Sequence, residues 1–327
     1  MRSSDGGKTL VCLLALAGAA LAILAQAGRW SDRFDAINIF LPYWTVPALL
    51  IAALVLVLER HARGWRWWAG WLAMLALAAG PLPWLVHEAI AGPGAPCSGE
   101  RLRIVQFNAW KDNRATPAAA RWIRAADPDL VLLEEAHAAL PLPALLHDLY
   151  PYQQSCVGPS FCSTTILART PPLAAGGLAR ADPENRGALS AAWMRIDGAA
   201  GPFTVVAVHL GRPWPFARFA GDRAQLVDFV RSQPAATTIV AGDFNLPGWT
   251  FQLRRLEAAM GLARRSHGLR SWPAVIGGRR LTGPLLPIDQ LFAGNRWSVA
   301  AIARGPFLGS DHYPLLVDLR RCATRAS

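Results

Sequence analysis

Six stretches of this chain end an apolar run in side chains that a buried strand does not need. RIVQFN ends at Asn108, DLVLLEE at Glu134 and Glu135, TVVAVH at His209, and TIVAGDFN at Asp243 and Asn245. PIDQ carries Asp289, and LGSDHYPL puts Asp311 and His312 just before a strand. Singly, each is accounted for by an Asx-turn, a helix cap or a solvated strand end. Recurring at one kind of position, they make a different case. If the strand ends converge, they line a cleft with carboxylates, carboxamides and imidazoles, a set that suits one hard cation and a phosphate.

A hard divalent ion such as magnesium takes oxygen ligands and keeps several waters, so one or two carboxylates and a carboxamide suffice. Glu135, Asp311 and Asn108 supply these. Hydrolysis of a phosphate ester also needs a carboxylate to hold and deprotonate a water, and donors for the charge on the phosphoryl oxygens. Asp243 fits the first task, and Asn245, His209 and His312 fit the second. A further carboxylate, Asp289, can hold an imidazole in one tautomer and favour its protonated form. No cysteine belongs to this set, which argues against a thiol nucleophile or a thiolate-zinc site.

The elements that must position these residues alternate. Strands are expected at 101–110, 128–136, 164–168, 189–196, 203–209, 237–242, 288–293 and 312–320, with helices at 117–127, 218–232 and 250–260. Many short strands with interspersed helices point to an α/β domain of two packed sheets flanked by helices.

The ordered set of an asparagine-ended strand, an LxE-type strand end, VHL, GDFN, IDQ and SDHYPL resembles the endonuclease/exonuclease/phosphatase superfamily, whose fold is that of deoxyribonuclease I. The resemblance covers residues 101–321, and GDFN followed by SDHYPL is its most specific pair. It implies a four-layered α/β sandwich and a magnesium- or manganese-dependent phosphoesterase. Carried onto matching positions, it makes Asn108 and Glu135 metal-site residues, Glu135 rather than Glu134 because it holds the usual LQE glutamate place. His209 would contact the scissile phosphate, Asp243 would activate water, and Asn245 would orient water or phosphate. Asp289 would pair with His312, which stabilises the transition state, and Asp311 would assist the metal. There are two departures: Glu134 replaces the common glutamine, adding a charge near the metal, and Gln290 stands where histidine or tyrosine often follows the aspartate.

The chain of 327 residues is divided in composition, and its first ninety-odd residues are almost wholly apolar. Three uncharged runs, about 9–28, 39–58 and 67–86, approach the roughly 20 residues that cross a bilayer as a helix. Trp30, Trp44, Trp65, Trp67 and Trp68 cluster near their ends, and Gly80, Pro81 and Pro83 should kink or end the third. Arg60, Arg63 and Arg66 crowd the loop after the second run, so the N-terminus and that loop are expected in the cytoplasm. Residues 1–91 then form a multi-pass membrane anchor and 92–100 a Gly/Pro linker. Domain 101–321 and the tail 322–327 lie on the extracytoplasmic, periplasmic side of an inner membrane. The AQA at 25–27 also reads as a signal-peptidase site, whose use would leave two spans in the same orientation.

Four cysteines remain in the soluble part, and Cys156 and Cys162 bracket a Gly-Pro turn, a spacing that closes a small disulfide loop in an exported domain. In the family fold the first and last strands run antiparallel side by side. That implies a second bridge, Cys97–Cys322, at the end of the sheet remote from the site.

The substrate is less legible. The net charge of +11 is compatible with nucleic acid or an anionic membrane, yet Lys8 and Lys111 are the only lysines, so much of it reflects an arginine-rich composition. Trp214 and Trp272, in arginine-rich loops, are candidate substrate-binding residues that would stack on bases or sit at a lipid headgroup surface. The leading expectation is a membrane-anchored phosphodiesterase or phosphatase acting on a lipid headgroup or envelope phosphoester. The alternatives are an exported nuclease cleaving DNA or RNA and a non-catalytic membrane-binding module. The bilayer is the expected partner, and no protein partner is inferable.

Overall fold

The computed structural model describes residues 2–92, 97–136, 141–156, 162–178 and 189–323. Linker residues 93–96, the Gly-Pro turn expected between Cys156 and Cys162, and tail residues 324–327 lie outside the described residues. The chain divides into two compact units, Met1–Ala91 with Pro247–Arg254, and Gly92–Leu246 with Arg255–Ser327.

The first unit is helical: Arg2–Gln26, Leu41–Leu58, Trp65–Ala79 and Leu82–Ile90 are its long helices. Its core is a stripe of small side chains, Ala15, Ala19 and Ala22 with Ala48, Ala52, Ala69 and Ala73. A Cβ on Gly18 would come within 2.8 Å of Ala48 Cβ, so these backbones approach as closely as helices do in an apolar medium. Large apolar groups such as Leu10, Ile23, Leu50 and Leu75 face outward. Two segments, Asp5–Arg29 and Asp32–Leu58, are long and apolar enough to cross a membrane. The expected third run is a pair of helices, Trp65–Ala79 and Leu82–Ile90, bent by 41°, which makes a third crossing if the pair is one broken span. The break falls at Gly80 and Pro81, where proline has no N–H for the helical ladder. Within this unit the buried Asp35 carboxylate accepts the backbone N–H groups of Phe251 (3.0 Å) and Gln252 (2.7 Å), and the Trp249 indole donates to Asn38 O at 2.8 Å.

Among the described residues, the second unit has fourteen strands: β1 Arg101–Asn108, β2 Leu130–Glu134, β3 Tyr152–Ser155, β4 Thr165–Ala168, β5 Pro172–Leu178, β6 Ser190–Gly198 and β7 Gly201–His209. They continue with β8 Thr238–Asp243, β9 Ala263–Arg264, β10 Val275–Ile276, β11 Arg279–Arg280, β12 Asp289–Ala293, β13 Trp297–Arg304 and β14 Leu315–Arg321. Two six-stranded sheets run in the orders β13-β14-β1-β2-β4-β3 and β5-β6-β7-β8-β12-β9, and β10 and β11 make a separate hairpin. Both sheets are mixed: β1 and β2 are parallel, as are β7 and β8, and their other described neighbours pair antiparallel. Each parallel pair is joined by a helical crossover, Thr116–Ala126 in one case and Phe216–Arg231 in the other. Thr116–Ala126 opens on a proline in its first turn, is rich in alanine, buries Ala119, Ala120 and Ile123 against its sheet, and stops at the left-handed Asp127. On the other sheet, Trp193 of β6 meets Phe229 of the second crossover helix at 5.7 Å between ring centroids. The result is two mixed sheets flanked by helices.

The core between the sheets follows the two-residue period of the strands. Leu102 and Ile104, Leu130 and Leu132, Phe203, Val205 and Ala207, Ile239 and Ala241, and Leu291 and Ala293 all lie in it. Continued along each strand, the same parity reaches Asn108, Glu134, His209, Asp243 and Asp289. The face that is a dry core along most of the strands therefore turns polar at one end. Cys97 is bonded to Cys322 and Cys156 to Cys162, with Cα separations of 5.2 and 5.3 Å.

Candidate active site

Strand register brings the polar termini together. Asn108 pairs with Glu134 across β1 and β2, His209 with Asp243 across β7 and β8, and Asp289 with Asp243 across β12 and β8. The antiparallel β14 begins beside Gln106, so Asp311 and His312, just upstream of it, arrive at the same end. The carboxyl ends of parallel strands at the centres of two facing sheets make a crevice where ligands commonly bind. Gly242 permits the tight approach there. Its φ is +149°, and a Cβ would lie 1.8 Å from Val208 O, so no other residue fits immediately before Asp243.

Asp243 is the hub. Its Oδ2 accepts from Asn108 Nδ2 at 3.1 Å and lies 3.6 Å from His312 Nε2 and 3.8 Å from His209 Nε2, while its Oδ1 accepts from Asn245 N at 2.9 Å. Asn245 adopts the left-handed conformation (φ +53°), which asparagine tolerates, and donates through Nδ2 to Leu210 O at 2.9 Å. His312 Nδ1 is 2.8 Å from Asp289 Oδ2, which also accepts the Ser271 hydroxyl. Ser163 Oγ and His209 Nδ1 share a hydrogen bond at 3.0 Å, and Ser310 Oγ donates to Asn108 O at 2.7 Å while accepting from His312 N at 3.0 Å. The left-handed Glu135 takes Lys111 N at 3.2 Å and stands 3.5 Å from Asn108 Nδ2.

Burial pushes the Asp243 carboxyl up to about 7 against the opposing pull of His312. For His312, burial works to lower the imidazole value, but Asp289 and Asp243 outweigh it and raise it to about 10, so the ring carries a proton at neutral pH. A carboxylate poised near neutrality beside a fixed imidazolium is the pairing expected of a general base and an anion-stabilising donor. Burial, reinforced by Asp289, also holds Glu134 well above the carboxylate range. Burial thus works against the extra charge anticipated from Glu134 at its glutamine-like place. Gln290, the other departure, donates through Nε2 to Leu246 O and Pro287 O and accepts from Ser266 Oγ, a loop-fixing role on the opposite strand face.

The donor set fits a hard divalent cation. Asp311 Oδ2 is held by Trp272 Nε1 at 3.2 Å, while its Oδ1 is buried without a hydrogen-bond partner. Burial, opposed by His312 and aided by the neighbouring charge of Glu135, raises the Asp311 carboxyl above its usual range. Two mutually repelling carboxyl groups with an orphaned oxygen, and no sulfur ligand in the cluster, match the oxygen preference of magnesium or manganese. Asn108 presents its amide nitrogen to Glu135 and Asp243, and its Oδ1 accepts from Trp110 N at 3.0 Å.

Seven of the eight expected site residues thus meet in one contact network, and Asp311, adjacent to His312, is coupled to it through the charges of His312 and Glu135. Trp272 touches it through Asp311 and stands 6.4 Å between ring centroids from His312, whereas Trp214 is 72% exposed and its described ring contact is with Phe216. Ser163, Ser271, Ser310 and Gln106 also belong to the site and were not anticipated from the sequence. Loop serines are ordinary turn residues and offer no distinguishing signal. Gln106 did offer one, since it breaks an apolar strand on its inward-facing parity.

A family model described as the Endonuclease/Exonuclease/phosphatase family matches residues 105–312. An endonuclease/exonuclease/phosphatase from Beutenbergia cavernae DSM 12333 is similar in structure at TM-score 0.53 and 21% identity, covering 69% of this chain and 73% of that one. One from Bacteroides vulgatus is similar at TM-score 0.52 and 17% identity, covering 68% and 99%. A beta toxin from Staphylococcus aureus, whose structure holds bound magnesium ions, is similar at TM-score 0.53 and 14% identity, covering 68% and 100%. No curated protein matches the sequence. At such identities the structural likeness speaks for the fold.

Proposed function

The chain belongs to the endonuclease/exonuclease/phosphatase family, hydrolases of phosphoester bonds, and from that premise we propose that it is a membrane-anchored, divalent-cation-dependent phosphoesterase acting on phosphoesters of the bilayer surface or envelope. The observation that carries this reading is the cluster at Asp243, with Asn108, His209 and His312 all within 4 Å of one carboxylate oxygen. Glu135 and Asp311 would hold a magnesium or manganese ion, with Asn108 beside them. That ion, when bound, supplies a Lewis acid for the phosphoryl oxygens.

The chain's own groups supply the rest. Asp243 takes a proton from the attacking water as its oxygen bonds to phosphorus. His209 and the Asp289-held imidazolium of His312 offer N–H donors where negative charge develops, and the leaving oxygen departs as the ester P–O bond breaks. Asn245, rigid in its left-handed turn, orients water or phosphate. The two apolar segments support residence at a bilayer, and, with the bent pair Trp65–Ala79 and Leu82–Ile90 taken as a third crossing, the arginines at 60, 63 and 66 support an extracytoplasmic catalytic unit. The bridged cysteines agree with an oxidising compartment.

The test uses the full-length chain in detergent micelles with magnesium, offered phospholipid and sphingomyelin vesicles, a small phosphodiester, plasmid DNA and single-stranded DNA. Hydrolysis of a lipid or small ester, lost in Asp243→Asn and His312→Ala, is expected. Salt-sensitive DNA cleavage lost in both variants would replace the lipid assignment with a nuclease. Inactivity on every phosphoester would leave a binding module.

A further inference from the structure

Directly beneath the site lie two buried polar side chains that the proposed chemistry does not use. Gln106 and Glu134 are 1% and 0% exposed. Gln106 stands two residues before Asn108 on the same face of β1, and Glu134 pairs with Asn108 from β2. One nitrogen, Gln106 Nε2, donates to both Glu134 Oε2 and Asp289 Oδ1, each at 2.8 Å, while Gln106 Oε1 has no partner. On its other oxygen, Asp289 receives Ser271 Oγ and His312 Nδ1.

We propose that Gln106 and Glu134 are a positioning pair: Glu134 fixes the orientation of the Gln106 amide, and the amide so fixed locks Asp289 in the pose that aims His312 at Asp243. This rests on the phosphoesterase reading of the site. A carboxamide has two orientations related by a half-turn, and its neighbours decide between them. Here both neighbours accept at the same side, so a half-turn would set Oε1 against two carboxyl oxygens. The two N–H bonds diverge, and satisfying both acceptors leaves one amide plane. Remove the Glu134 acceptor and the amide keeps only its bond to Asp289 Oδ1, with one buried N–H orphaned and the amide plane no longer fixed. The donor on the Asp289 oxygen that does not face His312 is then poorly directed, and the carboxylate is free to swing about its bonds to Ser271 and the imidazole. Gln106 and Glu134 touch no reacting atom, and their effect passes through Asp289 to His312.

The experiment is a double-mutant cycle on the full-length chain in micelles with magnesium, using bis(4-nitrophenyl) phosphate as the probe. Gln106→Met, which keeps length and removes the donor, should lower kcat about tenfold, as loss of an orienting partner does at metal sites, with KM within about twofold. Glu134→Met should lower kcat by a smaller factor, and Glu134→Gln, whose carbonyl still accepts, should restore it. The double variant Gln106→Met/Glu134→Met should be no slower than Gln106→Met alone, since Glu134 has nothing left to orient. Gln106→Asn, too short to reach both acceptors, repeats the test if the methionine variant does not fold. Wild-type kcat in Gln106→Met and Gln106→Asn, a loss confined to KM, or losses that multiply in the double variant would overturn the proposal. An inactive wild-type chain would instead defeat the phosphoesterase reading, so the two failures are told apart.

Discussion

The strands of the catalytic unit end very differently at their two ends. At the remote end, the Asp318 carboxylate takes Arg103 through Nε at 2.8 Å and Nη2 at 2.9 Å and Arg101 Nε at 3.0 Å, and Cys97 is bonded to Cys322. At the site end, Asp243 and Asp289 are 2% and 0% exposed, and their described ion pairs are with histidine. The same kind of side chain is driven in opposite directions. The Arg103 guanidinium, with help from Arg101, holds Asp318 below the usual carboxylate value, whereas burial lifts Asp243 to about 7. One end uses its charges to hold strands together. The other buries its carboxylates beside an imidazolium instead of guanidinium groups, and burial outweighs that pull on Asp243, so the base titrates near neutral pH.

Asp243→Asn strikes the buried end hardest. It should reduce kcat by roughly 10³–10⁴-fold, while the thermal midpoint stays level or rises because a desolvated carboxyl is gone. Steady-state rates and calorimetry on the same preparation check it. Next in size, the Cys97→Ser/Cys322→Ser variant should lose about 2–5 kcal/mol of stability with kcat little changed, read by denaturant titration and initial rates.

The smallest effect is in pH. Asp318 has its folded value depressed, so its contribution is present above the unfolded value and is lost as pH falls through the folded one. His312 has its folded value raised to about 10, so its contribution is fully present below the unfolded imidazole value of about 6.5 and is lost as pH rises through about 10. Thermal midpoints against pH should therefore show Asp318→Asn flattening the acid limb, by about 1 kcal/mol or less for a pair that solvent still reaches, and His312→Asn flattening the alkaline one. If both variants altered the same limb, the contrast between the two ends would be wrong.

The site was more legible than the scaffold. Asn108, Asp243 and Asp289 declared themselves because each puts a polar group on the parity of an apolar strand, a conflict visible in any linear reading. Strands β3, β5 and β13 were not foreseen. YQQS is polar, PLAAGGL is made of weak strand formers, and WSVAAIAR alternates poorly, so pairing with neighbours rather than intrinsic preference makes them strands. The third apolar run gave away its break because proline and glycine act locally. Ser163, Ser271 and Ser310 stayed hidden since their roles exist only across strand ends distant in sequence. Glu134 was seen, but the upward push on its carboxyl comes from burial that only packing reveals.

The small loop closed by Cys156 and Cys162 has a consequence for the redox setting of the protein. Cys162 is the direct neighbour of Ser163, whose hydroxyl meets the His209 ring. A reductant therefore reaches two bonds of unlike meaning. Opening Cys97–Cys322 loosens the frame, whereas opening Cys156–Cys162 slackens the chain that carries an imidazole's partner. A thiol-rich surrounding is expected to lower turnover through the second bond and stability through the first.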